Sequence, residues 1–179
     1  KPPVRAHRAL LAERCPFFAS MFAASSAFAE ASKSEVELPE VPYDVLRFVL
    51  HYLYTGDLDF SSLSLEKPSD EGEKAETCLG QDGYVAVQAA LHLCNLWALE
   101  NLASLLEGAI LEDLGGTVPE CLAPSMLLLA DTHRAPRVRL HALHTIKRHW
   151  PALSKSEAFA ELPESLKDEV RLSLSSLVI

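Results

Sequence analysis

The sequence lacks the segments that mark a membrane protein or a nucleotide-dependent enzyme. Its longest unbroken apolar runs are only a few residues, which is too short to cross a bilayer. Its 7 glycines are scattered, and neither GxGxxG nor GxxxxGK[ST] nor the GxSxG nucleophile elbow occurs. The carboxylates form no acid–base pair that stands out from solvated surface charge. We therefore expect no membrane insertion, no cofactor and no catalytic residue.

Cysteine is also scarce. The 179 residues hold 4 cysteines, widely spaced and without a CxxC pair, so the pattern supports neither a zinc site nor a redox motif. Widely spaced cysteines of this kind are predicted to be reduced thiols, which are typical of an intracellular protein of the cytoplasm, the nucleus or both. Cys94 and Cys121 lie among apolar neighbours and are predicted to be small core residues.

Positive charge is in deficit overall. The chain has 16 Lys and Arg against 25 Asp and Glu, a net charge of −9, which argues against a general nucleic-acid binder. The charge is uneven, because residues 61–83 hold six acids and two lysines without apolar periodicity, as in an acidic surface loop. Residues 132–150 instead hold five Lys and Arg and no acid.

That basic stretch includes His141 and His144, which are spaced to share one helical face. A metal site would need a third ligand and no competing cations, so we expect no metal. A nucleic-acid interface would need interleaved aromatics. The favoured interpretation is an amphipathic helix with a solvated basic face whose charge complements nearby acidic surface.

Hydrophobic periodicity divides the chain into a small α+β unit and a run of helical hairpins. Residues 35–38 alternate polar and apolar side chains, as a half-buried strand does. Residues 43–54 have almost no polar face, which predicts a buried helix stopped at Gly56. From Tyr84 onward the pattern is helical, and Gly115-Gly116 ends one helix and offers a domain joint.

Further helices are predicted in the second half. Capping boxes at residues 117–120 and 154–157 indicate two helix starts, although Pro124 favours a later start for the first helix. Residues 127–130 form the core portion of that helix. The helix opened by Pro136 is predicted to direct four apolar side chains inward: Val138, Leu140, Leu143 and Ile146.

Several of these motifs, in this order, resemble the BTB/POZ family, in which a small sheet is flanked by helices. The matching segments are residues 6–14, 16–22, 36–41, 48–56 and 94–110. Beyond Gly116 the chain resembles the all-α BACK region that follows BTB domains in cullin-3 adaptors, through residues 127–131, 140–150, 156–159 and 162–163. The resemblance implies a BTB/POZ domain over 1–114 and the N-terminal part of a BACK domain over 117–179.

Two departures qualify the match. The first strand and first helix of a BTB domain are missing before Lys1, and that helix supplies much of the family's dimer surface. The chain therefore resembles a fragment of a longer protein, and its self-association stays open. The acidic insertion 61–83 interrupts the usual approach to the helix that starts at Tyr84.

The resemblance also implies a cullin-3 contact. Phe28-Ala29-Glu30 stands where cullin-3-binding BTB domains carry a hydrophobic-x-Glu motif, with Phe28 filling an apolar pocket and Glu30 hydrogen-bonded at the contact. Met21 and Trp97 are expected on the same face. Phe28 is independently notable as a lone large apolar residue in a small, polar stretch, as interface anchors are, although it could also tuck under its own loop.

Together these features predict a non-catalytic substrate-adaptor fragment of a cullin-3 RING ubiquitin ligase. The BTB part and the 3-box helices would bind cullin-3, and the BTB part would self-associate. The helical part would position a substrate-binding domain that lies outside this chain. The alternative is a BTB dimerisation scaffold of a transcriptional or cytoskeletal regulator without cullin binding. An enzyme of another kind is disfavoured by the missing motifs.

Overall fold

The computed structural model describes residues 3–23, 35–60, 63 and 81–175, with side chains from residue 85 in the last range. Its secondary structure is helical, in this order: α1 (Arg8–Arg14), α2 (Pro16–Phe22), α3 (Tyr43–Thr55), α4 (Gln81–Trp97), α5 (Glu100–Asp113), a 3-10 turn (Glu120–Leu122), α6 (Ala123–Thr132), α7 (Pro136–Arg148), α8 (Trp150–Leu153), α9 (Glu157–Ala160) and α10 (Glu164–Ser175). The chain divides into two compact units, Lys1–Ala103 and Ser104–Ile179. The predicted domain limits of 1–114 and 117–179 stay predictions.

The first unit is built around α3, as its apolar pattern predicts. Val45, Phe48, Val49 and Leu53 are at most 3% exposed, so one side of the helix is fully buried. The helix ends at Gly56, whose φ of 82° is the left-handed conformation that glycine adopts most easily. The Gly56 N–H donates to the Tyr52 carbonyl oxygen at 2.8 Å, which satisfies an acceptor at the helix end.

The strand predicted at residues 35–38 does not form. These residues have no regular secondary structure, and no strand occurs within 3–23, 35–60 and 81–175. Alternation makes a strand only where a neighbouring strand accepts its backbone hydrogen bonds, and the described chain supplies no such partner. The strand prediction is therefore wrong for this segment.

The boundary of the acidic insertion also differs from its prediction. Of residues 61–83, positions 61–62 and 64–80 lie outside the described residues, whereas Leu63 is buried and α4 already begins at Gln81. The helix predicted from Tyr84 therefore starts three residues earlier. A loop prediction based on charge and missing periodicity cannot locate the first helical residue closely.

The second unit is helical, with α6 packed against α7 and α10 also in contact with α7. Leu127, Val138 and Ile146 are fully buried, as predicted. Leu140 was expected to point inward, yet it is 67% exposed. Leu128 is likewise 40% exposed within the segment predicted to be core. α7 is buried along the side that carries Val138 and Ile146, so Leu140, which lies off that side, reaches the surface.

Helix ends in the second unit confirm one sequence prediction and modify two. The end predicted at Gly115-Gly116 is confirmed: both glycines have positive φ, and Gly116 N–H donates to the Leu111 carbonyl at 2.7 Å. The capping box at 117–120 starts no α-helix, because a 3-10 turn intervenes and α6 begins at Ala123 with Pro124 in its first turn. At 154–157 the cap is Ser156, whose Oγ accepts the Phe159 N–H at 3.2 Å.

The two cysteines predicted to lie in the core have different positions. Cys94 on α4 is 2% exposed, as predicted. Cys121 is exposed, so that prediction is wrong. It lies in the 3-10 turn between Glu120 and Leu122. Ala123, which follows this turn, is fully buried and packs in the core instead.

Candidate protein-interaction surface

Trp97, at the end of α4, is the centre of an aromatic cluster in the first unit. Phe17 of α2 stacks on its ring at 5.4 Å between centroids with an interplanar angle of 9°, and Phe18 meets it edge-on at 4.8 Å. Both arrangements are favourable for aromatic rings. Trp97 is only 2% exposed, whereas Phe17 is half-buried, so Phe17 is partly accessible at the surface.

Met21 and Trp97, two of the four residues predicted for a cullin contact, lie in the interior of this unit. Met21 is 5% exposed and Trp97 2%. Such burial leaves little side-chain area for a partner. In this structure Met21 and Trp97 therefore lie beneath the surface rather than on it. The other two, Phe28 and Glu30, lie outside the described residues.

Two buried cysteine thiols belong to the core around Trp97. The Cys15 Sγ donates a weak hydrogen bond to the Trp97 carbonyl oxygen at 3.8 Å. Burial raises the pKa of Cys15, and burial together with the neighbouring Cys15 raises the pKa of Cys94 to about 12. Both thiols therefore stay protonated at neutral pH and act as small core residues.

A shallow groove of about 460 Å³ lies in the first unit beside the start of α2 and the end of α4. Its lining combines cationic, amide and aromatic groups with backbone: Arg14, Pro16, Tyr52, Ala98, Leu99, Glu100, Asn101 and Leu102. Ala98 adopts a φ of 56°, which terminates α4 and turns the chain along the groove. The groove offers both polar and apolar contacts to a peptide-sized partner.

Exposed apolar residues on α4 were missed by the sequence-based site prediction. Val85 is 61% exposed and Leu96 60%. The sequence does contain a signal for them, because α4 is apolar on nearly all sides. Such a helix exposes some apolar side chains unless the protein covers it on every side. Leu96 directly precedes the buried Trp97, so it presents an apolar contact on a rigid support.

A hydrogen-bonded pair joins two of the motifs that carry the family resemblance. The His7 backbone N–H donates to the Tyr54 hydroxyl oxygen at 2.7 Å, and the His7 Nδ1 lies 2.8 Å from the same oxygen. These contacts link the start of α1 to the end of α3. Arg8, the next residue, lies over the Phe22 ring at 4.2 Å, a cation–π contact within the α1–α2 hairpin.

The features described above suit contact with another protein. Among the residues that the structure describes, no group of three or more His, Cys, Asp and Glu side chains is arranged to hold a metal ion. Over the same residues, no helix combines the length and apolar character needed to span a bilayer. The half-buried Phe17 over the aromatic core, and the exposed Leu96 on α4, resemble the anchors of protein interfaces.

Comparison with known proteins agrees with a protein-interaction domain. Residues 2–74 match the family model of the BTB/POZ domain. The chain is 29% identical over 176 residues to TD and POZ domain-containing protein 2 of Mus musculus, which covers 97% of this chain and 41% of that protein. It is 35% identical over 60 residues to kelch-like protein 40 of Xenopus laevis, covering 34% of this chain and 9% of that protein. The chain thus spans less than half the length of these relatives, and its residues 2–74 carry a BTB/POZ domain.

Proposed function

We propose that this chain is a substrate-adaptor fragment of a cullin-3 RING ubiquitin ligase. The observation that carries the proposal is the BTB/POZ match over residues 2–74, which encloses the hydrophobic-x-Glu sequence at 28–30. In this proposal the BTB domain recruits cullin-3 and self-associates. Ubiquitin transfer belongs to other subunits of the ligase.

The surface of the first unit supports a role in binding. Phe17 offers apolar area beside the buried Trp97, Leu96 offers an exposed apolar side chain, and their backbones belong to the packed helices α2 and α4. A rigid anchor loses little conformational entropy on association, which favours affinity. Phe28, with Glu30 beside it, is the proposed anchor that enters a cullin pocket.

The second unit supports an adaptor over a bare dimerisation scaffold. Its hairpins of α6, α7 and α10 follow the BTB domain in the order expected of a BACK region, the assignment we propose for residues 117–179. A stack of helices of this kind holds two attached modules at a fixed distance. We propose that it positions a substrate-binding domain beyond this chain, in the cytoplasm or the nucleus.

Calorimetric titration with the N-terminal domain of cullin-3 tests the proposal. We expect binding in the micromolar range or tighter, and a loss of about 30-fold or more when Phe28→Ala and Glu30→Lys are combined, since a central anchor is worth about 2 kcal/mol. The matched control combines Val4→Ala and Glu40→Lys, which change one apolar and one acidic residue at exposed positions of the same unit.

Two results would reject the adaptor function. One is the absence of binding at tens of micromolar, and the other is an affinity that the Phe28/Glu30 double variant leaves unchanged. Light scattering on the same samples measures self-association. A dimer that binds no cullin would instead establish the scaffold function.

A further inference from the structure

The outward side of α7 is a basic ridge with an apolar centre. Four exposed residues follow one another along α7 at spacings of three, four and four residues: Arg137, Leu140, His144 and Arg148. This spacing places them along one line of the helix. We call these four residues the α7 ridge. At 1.5 Å rise per residue the ridge is about 16 Å long.

Packing fixes the direction in which the ridge points. Val138, Ala142 and Ile146, on the opposite side of α7, are 0% exposed. Rotating α7 to cover Leu140 would expose this buried apolar set to water, which is unfavourable. Leu140, 67% exposed, is therefore held in solvent by the core behind it.

The two guanidinium groups of the ridge form no ion pair within residues 85–175, although the Glu107 carboxylate accepts the backbone N–H of Arg137. Within 81–175, Arg148 forms no ion pair, and Arg137 donates from its guanidinium to the neutral Ser104 carbonyl oxygen at 3.1 Å. Arg139, off the ridge, is the cation of α7 that is paired, with Glu169 and with Asp131. Glu169 and Asp131 thus pair with Arg139 rather than with the guanidinium groups of the ridge.

We propose that the α7 ridge docks an acidic segment of a partner protein, with one apolar side chain of that segment covering Leu140. Charge complementarity selects the partner, because carboxylates flanking an apolar residue would meet Arg137 and Arg148 on either side of Leu140. The length of the ridge matches about three turns of a partner helix or five residues of an extended strand.

A nucleic acid fits this surface less well. A phosphate backbone has nothing to place on an exposed leucine, and the ridge carries no Phe, Tyr or Trp ring on which a base could stack. The chain as a whole, at −9, repels a long polyanion. A short acidic peptide meets only the local charge within about one Debye length.

Fluorescence anisotropy with a labelled probe tests the proposal. The probe is a 16-residue helical peptide with leucine on one face and glutamate on both flanks, and its counterpart has lysine in place of each glutamate. We expect the acidic probe to bind, more weakly at higher salt, and the lysine counterpart not to bind. Leu140→Ser and Arg148→Glu should each weaken binding about tenfold, which corresponds to about 1.4 kcal/mol.

Matched controls separate docking from general surface effects. Leu172→Ser changes a leucine of equal exposure, 68%, on α10, and Lys155→Glu reverses an exposed charge away from the ridge. Both should bind the probe like the unmodified chain. Circular dichroism confirms that each variant is folded.

Three outcomes would overturn the proposal. The ridge variants could bind as tightly as the controls, or the lysine peptide could bind as well as the acidic one. A single-stranded oligonucleotide that binds more tightly than the acidic peptide would make the ridge a nucleic-acid site. These tests are independent of cullin-3 binding, so neither proposal depends on the other.

Discussion

Replacing Glu107 with alanine should release the start of α7. Glu107, on α5, is 3% exposed, and its Oε2 accepts the backbone N–H of Arg137 at 2.6 Å and of Val138 at 3.2 Å. These are first-turn donors of α7, which an α-helix cannot satisfy itself. The N-cap residue Ala135 has no side-chain acceptor, so a carboxylate from another helix replaces the local cap.

The magnitude follows from the two bonds and the charge. A hydrogen bond to a charged group contributes about 1.5–3 kcal/mol, and a carboxylate at a helix N-terminus adds up to about 2 kcal/mol. Desolvation of the buried carboxylate offsets part of this sum. We expect Glu107→Ala to lower the free energy of unfolding of the second unit by about 3 kcal/mol. Glu107→Gln, which keeps an oxygen acceptor but not the charge, should lower it by about half as much.

Hydrogen exchange of α7 measures the effect where it arises. A global midpoint is ambiguous because the chain has two compact units, whereas exchange of residues 136–148 reports the opening of this helix. A loss of 3 kcal/mol accelerates exchange more than about 100-fold. Glu112→Ala, an exposed position on the same helix, is the control. Exchange that changes less than threefold in Glu107→Ala, or equally in both variants, would refute the capping argument.

Two further predictions concern thiols and helix ends. At pH 8, iodoacetamide should alkylate exposed Cys121 in the folded protein, whereas Cys15 and Cys94, with raised pKa values, should react only after denaturation; mass spectrometry of the labelled peptides gives the order. Ala98→Gly and Arg134→Gly should each raise the free energy of unfolding by about 0.5–1 kcal/mol in urea titrations, because these residues end helices at φ values of 56° and 50°.

Opposite results would be equally informative. Alkylation of Cys94 at the rate of Cys121 would contradict the burial of α4. Gly115→Ala is the control for the helix ends, since it introduces a side chain at a φ of 73° and should destabilise by about 1 kcal/mol. If Gly115→Ala stabilised the protein, or if Ala98→Gly and Arg134→Gly destabilised it, backbone strain in the left-handed conformation would not determine the stability of these helix ends.

The sequence predicted helices well because the signal for a helix is local. The apolar run of α3 and its stop at Gly56 depend on neighbours within a few residues, and both are confirmed. The strand at 35–38 is different, because its ladder needs a partner that the pattern of four residues cannot identify. The thiol positions show the same limit, since Cys94 and Cys121 have similar neighbours in sequence but different surroundings in the structure.

The predicted cullin contact stays a prediction, whereas the predicted domain type does not. Motif order pointed to a BTB/POZ domain, and the family match over residues 2–74 confirms that domain. The residues expected at the cullin contact were taken from a three-residue motif and its expected neighbours. A short motif does not indicate which of those neighbours is exposed, and Met21 and Trp97 are buried in the structure.

The sequence by itself determined the helical periodicity, the BTB/POZ motifs, the absence of nucleotide loops and the concentration of positive charge in residues 132–150. Tertiary structure decided which side of each helix is covered. Leu140 and Ile146 are both apolar residues of α7, yet one is 67% and the other 0% exposed, because packing can bury only one side of that helix. It also decided that Glu107 caps a helix about thirty residues away in sequence, a contact that no local pattern encodes.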